Sequence, residues 1–559
     1  MNEEIKTGLL SRPQFLIIFV LIISAFLLSQ LILFQYGRDQ GIYAVVADSV
    51  LQGGVPYRDA WDFKPPGVFF IYALARWIFG KSMVSIRLLE AIGFISLVYA
   101  FVIFSKRHLG SSFPGILGGA FAILSHVRLE FWHTAQPESF GAIALAWALV
   151  CSTYEPARDD RRASIKQILS WIGAGVLFTV AALLKPPLGG GILTSLALVL
   201  FRRIRGSKPR REWASAAVPC LAFGLGAALV LALTLFYFAA HGALGNLYRV
   251  FFIFVPGYTK LAAQSGGFLN HLFLAFYKWL VTFSPLFFLG LPLLFFLPSI
   301  HPREKEGTLH VIGCLGFQLI GVALQAKFFA YHFGAALPLS GLLAGWGFTK
   351  LYSRSGLKWL VSLALIFLVL AQFGVRPSWN PHDTLAERSV IRIASLFAKP
   401  EDKKTANDDL SSMQDVNAGA NRRVAEWIAG RTSPDSKIFI WGFEPVIYDL
   451  SNRRPASRFI HNLPQRLQKT KRLSREALIQ DLKASLPAVI VLESRDVFPL
   501  VTGNAMDSAA ELADFPELSE LLREQYEKSA AIEDFTIYTW IGETRRPSIK
   551  TIFYLTPTT

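Results

Sequence analysis

Apolar runs of roughly 20 residues recur through the first two thirds of the chain, each long enough to cross a bilayer as a helix. Inside hydrocarbon every backbone amide and carbonyl needs a partner within the protein, so a run of this length and uniformity folds as a helix. The runs lie near 14–35, 84–105, 112–127, 138–154, 167–184, 188–201, 214–240, 268–298, 309–326, 331–349 and 358–375, which makes about eleven spans by the length rule. Composition agrees. Of the 559 residues 17% are charged and 52% hydrophobic, against about 25% charged in soluble globular proteins. The expectation is a polytopic all-α membrane protein with a soluble C-terminal α/β domain, divided as 1–375 and 376–559.

The formal charge of +16 invites a nucleic-acid reading, which the placement of the charge excludes. The bases gather in short connections: Lys106 and Arg107; Arg158, Arg161, Arg162 and Lys166; Arg202, Arg203, Arg205, Lys208, Arg210 and Arg211; Lys350, Arg354 and Lys358. Such clusters mark the cytoplasmic ends of spans. With the N-terminus inside, all four clusters fall on the cytoplasmic side. The segments 36–83, 128–137 and 241–267 then fall outside, with everything after Val375. The first run has a full spanning length and no small-residue cleavage site, so it reads as an uncleaved helix. Cys151, Cys220 and Cys314 lie in or beside apolar runs without metal-ligand spacing and read as small hydrophobes.

The tail has a different pattern. "SKIFIWG" and "PAVIVLES" are short β-branched runs bounded by turn residues, and "DFTIYTW" alternates. All three are expected as strands. "NRRVAEWIAGRT" and "PELSELLREQYEKSA" have helical apolar spacing, so strands and helices alternate. The polar stretch 398–421 is expected as a linker or loop.

Chemistry concentrates in the outer segments. Asp39 follows the first run with Arg38 beside it, and Ile42, Val45, Val46 and Val50 continue at helical spacing, as in an amphipathic interfacial helix. The same segment carries "RDAWDFKPPG", with Arg58, Lys64 and the stiff pair Pro65-Pro66. A boundary charge is cheap in a membrane protein, so an interfacial loop with snorkelling side chains explains these residues equally well. In the second outer segment Glu138 follows Pro137 at a helix start, where a carboxylate also favours the helix dipole. The third supplies Arg249, Tyr258 and Lys260. Lys327, Tyr331 and His332 precede the Pro338-containing run, where a tyrosine often serves only as an interface anchor.

Taken in order, these are an acidic residue after the first run, a Lys-Pro-Pro in the same outer loop, a carboxylate in the next, and a Tyr before a late Pro-containing run. The set resembles the bacterial GT-C glycosyltransferases of the dolichyl-phosphate-mannose protein mannosyltransferase and aminoarabinose transferase type, including their RgtA/B/C/D-like relatives, over residues 10–375. "DFKPPGVFFIYAL" is the most specific part. The resemblance implies a polyprenyl-phosphate sugar donor and a glycan, lipid or protein acceptor outside the bacterial cytoplasmic membrane. It also implies catalytic roles for Asp39 and Glu138, with Lys64, Arg38, Arg58, Arg249, Lys260 and Tyr331 around the donor phosphate. Some members of this type have an acidic residue directly before the lysine; Phe63 stands there in this chain, with Asp62 one position back. A divalent metal ion is left open as a cofactor.

The chemistry fits that implication. A hydroxyl attacking an anomeric carbon needs a base, and a departing lipid phosphate needs cations where its charge develops. A transporter or flippase of lipid-linked sugars would instead place ionisable residues near the midplane on broken helices, with Lys185 as the one candidate. A non-catalytic scaffold would need none of the set.

Overall fold

Each expected apolar run coincides with helix in the computed structural model, which describes residues 10–154, 164–205, 212–263, 266–283, 285–297, 301–379, 382–412 and 416–542. The chain divides into two compact units, Met1–Gly419 and Ala420–Thr559. The first unit therefore reaches past the last apolar run.

In chain order this unit contains α1 (Pro13–Ile32), α2 (Arg38–Leu51), α3 (Gly67–Phe79), α4 (Met83–Leu109), α5 (Phe113–Arg128), the single turn α6 (Glu130–His133), α7 (Pro137–Ser152) and α8 (Ile165–Leu184). There follow α9 (Gly191–Arg205), α10 (Glu212–Ala240), α11 (Leu244–Tyr248), α12 (Val255–Ala263), α13 (Phe268–Tyr277), α14 (Pro285–Phe296), α15 (Glu304–Gln325), α16 (Ala336–Arg354), α17 (Lys358–Gly374), α18 (Leu385–Phe397) and α19 (Pro400–Ser412). Among the described residues five stretches are long and apolar enough to cross a membrane alone: α1, α4, α8, Ala216–Ala240 within α10, and α15. Their open faces stay apolar, as Leu221, Leu225 and Phe236 do on α10; lipid asks for no polar face. Association without a hydrophobic drive relies on close backbone packing. Helices α5 and α16 achieve it through glycine. A Cβ on Gly345 would come within 2.6 Å of the Gly118 amide nitrogen.

Three expectations change in the described residues. Segment 36–83 is mostly helix, as α2 and α3, rather than loop. Helix α2 is not amphipathic at an interface, because Gln40–Ala47 are buried on every side against α3 and the 130–137 segment. Most of the polar stretch 398–421 is helical, as α19; its charged residues are exposed apart from the half-buried Asp408, and Leu410 and Ser411 give it a buried anchor. Arg158, Arg161, Arg162, Lys208, Arg210 and Arg211 lie outside the described residues.

The second unit is built on a five-stranded sheet of order β2-β1-β3-β5-β4. Its strands are β1 (Lys437–Trp441), β2 (Arg454–Pro455), β3 (Val489–Glu493), β4 (Tyr526–Ile532) and β5 (Phe535–Trp540). Strand β1 pairs in parallel with β2 and β3, and β5 is antiparallel to both β3 and β4. Continuous burial along β1 and β3 is what a sheet covered on both faces requires. The expected helix from Pro516 ends at Gln525, and Tyr526 onward pairs with β5 instead.

Candidate active site

Two Lys-Pro-Pro blocks build the site. A residue before proline is pushed out of the α region. Helix α8 therefore stops at Leu184, and Lys185 is extended at φ −155° and ψ 120° before Pro186 and Pro187 open a short 3₁₀ turn. In the first block Pro66 caps α3. At the next residue, Gly67, a Cβ would sit 2.8 Å from the Leu183 carbonyl oxygen. Only glycine lets the Lys64 loop lie against the end of α8, and so Lys64 and Lys185 reach one cavity. This cavity, of about 250 Å³, is also lined by Pro65, Tyr258, Lys327 and Tyr331.

Asp39 meets Lys64 at the edge of this space, with Lys64 Nζ 3.5 Å from Asp39 Oδ2. The helix start does not use the Asp39 carboxylate. Gly37 is the N-cap, and its amide donates to Gln40 Oε1 at 2.9 Å. Gln136 Nε2 donates to Asp39 Oδ2 at 3.3 Å, while Gln136 Oε1 accepts from the Tyr43 hydroxyl at 3.0 Å. The Lys64 amide donates to Asp62 Oδ2 at 3.2 Å. Burial pulls the Lys64 ammonium down, but Asp39, Asp62 and Glu138 together hold it above the ordinary lysine value. It stays a cation.

Glu138 enters on the first turn of α7 and pairs with Lys185. Its side chain is 2% exposed, against 22% for Asp39, so Asp39 is the carboxylate open to an incoming group. The Tyr331 ring joins the two lysines, lying 5.3 Å from Lys64 Nζ and 5.6 Å from Lys185 Nζ.

The segment before α7 is held from behind. Glu130 and Ala135 adopt positive φ, 70° and 52°. Glu90 accepts from the Ala135 amide and faces His126, while Arg87 donates to Thr134 Oγ1 at 2.8 Å and to the Phe131 carbonyl at 3.1 Å. Gln40 Nε2 reaches the Trp132 carbonyl at 3.0 Å. These bonds fix Gln136, and through it Asp39.

Of the candidates read from sequence, Asp39, Glu138, Lys64 and Tyr331 come together. Four cations do not line the cavity. Arg58 is captured by its neighbour Asp59 and by the His241 carbonyl at 2.6 Å. Arg38 lies over the Trp132 ring at 5.4 Å, and Arg249 and Lys260 are exposed on the helical turns of the 241–267 segment. Lys185, Lys327, Tyr43 and Gln136 were not among the assigned site residues. The repeated Lys-Pro-Pro was the legible signal for Lys185. An Arg and a Glu three residues apart within an apolar run were the signal for Arg87 and Glu90, since charge inside a span calls for a specific partner. Among the described residues no three His, Cys, Asp or Glu side chains converge to hold a metal ion. Asp39 and Glu138 both face lysines, a poor setting for a cation, and no step below involves a metal.

Residues 63–238 match the family model of the dolichyl-phosphate-mannose-protein mannosyltransferases. Two solved structures of ArnT from Cupriavidus metallidurans share the fold. The one bound to undecaprenyl phosphate has a TM-score of 0.52 at 13% identity, covering 95% of this chain and 99% of that one. The apo state has a TM-score of 0.54 at 13% identity, covering 94% and 97%. The chain therefore shares the fold of these ArnT structures. No curated protein sequence matches the chain. The expected resemblance finds its match over residues 63–238, which take in Lys64, Glu138 and Lys185, while Asp39 lies before that segment.

Proposed function

We propose that this GT-C chain moves a sugar from a polyprenyl-phosphate donor to an acceptor hydroxyl outside the cytoplasmic membrane, with Asp39 as base and Lys64 on the donor phosphate. The observation that carries this reading is the Asp39–Lys64 pair at the edge of the cavity. The acceptor oxygen attacks the anomeric carbon, and Asp39 takes its proton. The bond between that carbon and the phosphate oxygen breaks, its electron pair stays on the phosphate, and Lys64 faces the charge. Tyr331 and Pro65 hold Lys64 in place. Glu138, tied to Lys185, orients the opposite wall. The undecaprenyl phosphate in one ArnT structure supports a lipid phosphate as the leaving group here.

The basic-loop pattern supports a bacterial inner-membrane protein of about eleven crossings by the length rule, with the C-terminal α/β domain on the periplasmic face. The acceptor is an envelope glycan, lipid or protein. Purified chain mixed with a synthetic polyprenyl-phosphate sugar and a hydroxyl acceptor should release polyprenyl phosphate. Lipid movement across vesicles without any release would refute the transfer reading.

A further inference from the structure

Lys327 differs from the other lysines of the cavity. The Lys64 ammonium pairs with Asp39 and also feels the Asp62 charge, and Lys185 belongs to Glu138. Lys327 sits on the connection between α15 and the 330–333 turn. Its Nζ is buried, has no hydrogen-bond partner among the described residues, and lies 3.3 Å from the centre of the Tyr258 ring. A ring face holds an ammonium in place without using its hydrogen-bond donors, so these stay available to another partner. Burial, with repulsion from Lys64, brings it down to about 7. The backbone is strained on both sides, with Ala326 at φ 54° and Phe328 at φ 51°. Left-handed non-glycine residues persist where the surrounding structure imposes them, often at working sites. Two such residues bracketing a buried cation without an anion point to a ligand that supplies the anion.

The chemistry names that ligand. A polyprenyl-phosphate sugar is a phosphodiester with one negative charge. When the sugar leaves, the electron pair of the broken bond stays on the phosphate, which becomes a monoester carrying up to two. Lys64 already faces two carboxylates. We propose that Lys327, seated on Tyr258, is a catalytic residue that takes the charge developing on the departing phosphate. Tyr258 then gives the outer segment 241–267 a part in the site through an aromatic ring, where sequence had assigned the part to Arg249 and Lys260. The proposal rests on the glycosyl-transfer reading and deepens it.

The test uses the full chain and two donor-free probes, a polyprenyl phosphate (monoester) and the corresponding polyprenyl methyl phosphate (diester). The wild type should bind the monoester at least about tenfold more tightly, as expected for a charge-assisted contact. Lys327→Gln should erase most of that preference and lower kcat by about a hundredfold, the scale of removing one preorganised charge-stabilising group. Lys327→Arg should restore part of both. A structural role would weaken both probes equally, and that result would overturn the proposal. So would a wild-type preference or kcat retained by Lys327→Gln. Because removing an unpaired buried charge costs the fold little, the variant should assemble. If it does not, a wild type that binds both probes alike already overturns the idea. A wild type that releases no polyprenyl phosphate from donor at all would instead refute the transfer reading.

Discussion

The Lys64 ammonium lies 3.5 Å from Asp39 Oδ2, and Gln40 rather than Asp39 closes the start of α2. The carboxylate is therefore placed for chemistry and not for capping. Asp39→Asn should insert and accumulate normally, since Asn is tolerated at helix starts as well as Asp. Transfer at saturating donor and acceptor should fall by at least about a hundredfold, the lower range for loss of a general base. A near wild-type rate would move the base to Glu138.

Lys64→Ala should raise the donor KM and lower kcat, because the cation facing the phosphate is gone. Lys64→Arg should recover only part. The guanidinium fork is wider, and the ammonium here fits between Asp39 and the Tyr331 and Tyr43 rings, 5.3 Å and 5.9 Å away. Wild-type donor kinetics in Lys64→Ala would make the Lys-Pro-Pro block a purely structural stiffener.

Much of this was legible because the physics is local. A run long enough to span a bilayer is helical whatever surrounds it, and a lysine before a proline ends a helix, as Lys185 ends α8. The β1 and β3 runs needed only their β-branched content. What was not legible depends on distant partners. Arg58, Arg249 and Lys260 sit on the right segments, but segment membership does not say where a side chain points, and Asp59 claims Arg58 first. Residues 526–532 carry helix formers, yet the pairing of Tyr526–Ile532 with β5 decides their state, as strand preference is set largely by neighbours. Lys327 looked like one boundary charge until the fold set it over Tyr258.

Glu130 lies between two guanidiniums. It pairs with Arg392 and, at 3.3 Å, with Arg388, all three side chains being 5% exposed or less. Removing one partner of a buried pair typically costs about 3–5 kcal/mol, because the remaining charge is stranded. Glu130→Ala should lower the thermal midpoint of the purified protein well below wild type. Arg392→Ala should cost less, as Arg388 remains against Glu130 and Asp383. Equal midpoints for Glu130→Ala and wild type would show that water reaches this cluster.

A reporter active only in the periplasm, fused after Thr559, should be active, and the same reporter fused within the 350–358 basic connection should be silent. The asymmetry follows from the proposed topology, which keeps Lys350, Arg354 and Lys358 in the cytoplasm. The reverse pattern would place Asp39 and Lys64 on the cytoplasmic side and remove the proposed acceptor compartment.

The pH dependence of transfer separates Lys327 from its neighbours. The titratable groups that line the cavity with it are Lys64, Lys185, Tyr258, Tyr331 and His332, and the carboxylates Asp39, Asp62 and Glu138 act on Lys64 behind them. Lys327 loses its proton near pH 7 in the free protein, so it is a cation below that value and neutral above it. Because kcat/KM reports the free enzyme and kcat the donor complex, kcat/KM should fall as pH rises through about 7. The bound phosphate holds the proton on, so the corresponding fall in kcat should appear at higher pH. Lys327→Gln should lack this limb in both profiles. If the limb near 7 survives in Lys327→Gln, the titrating group is not Lys327.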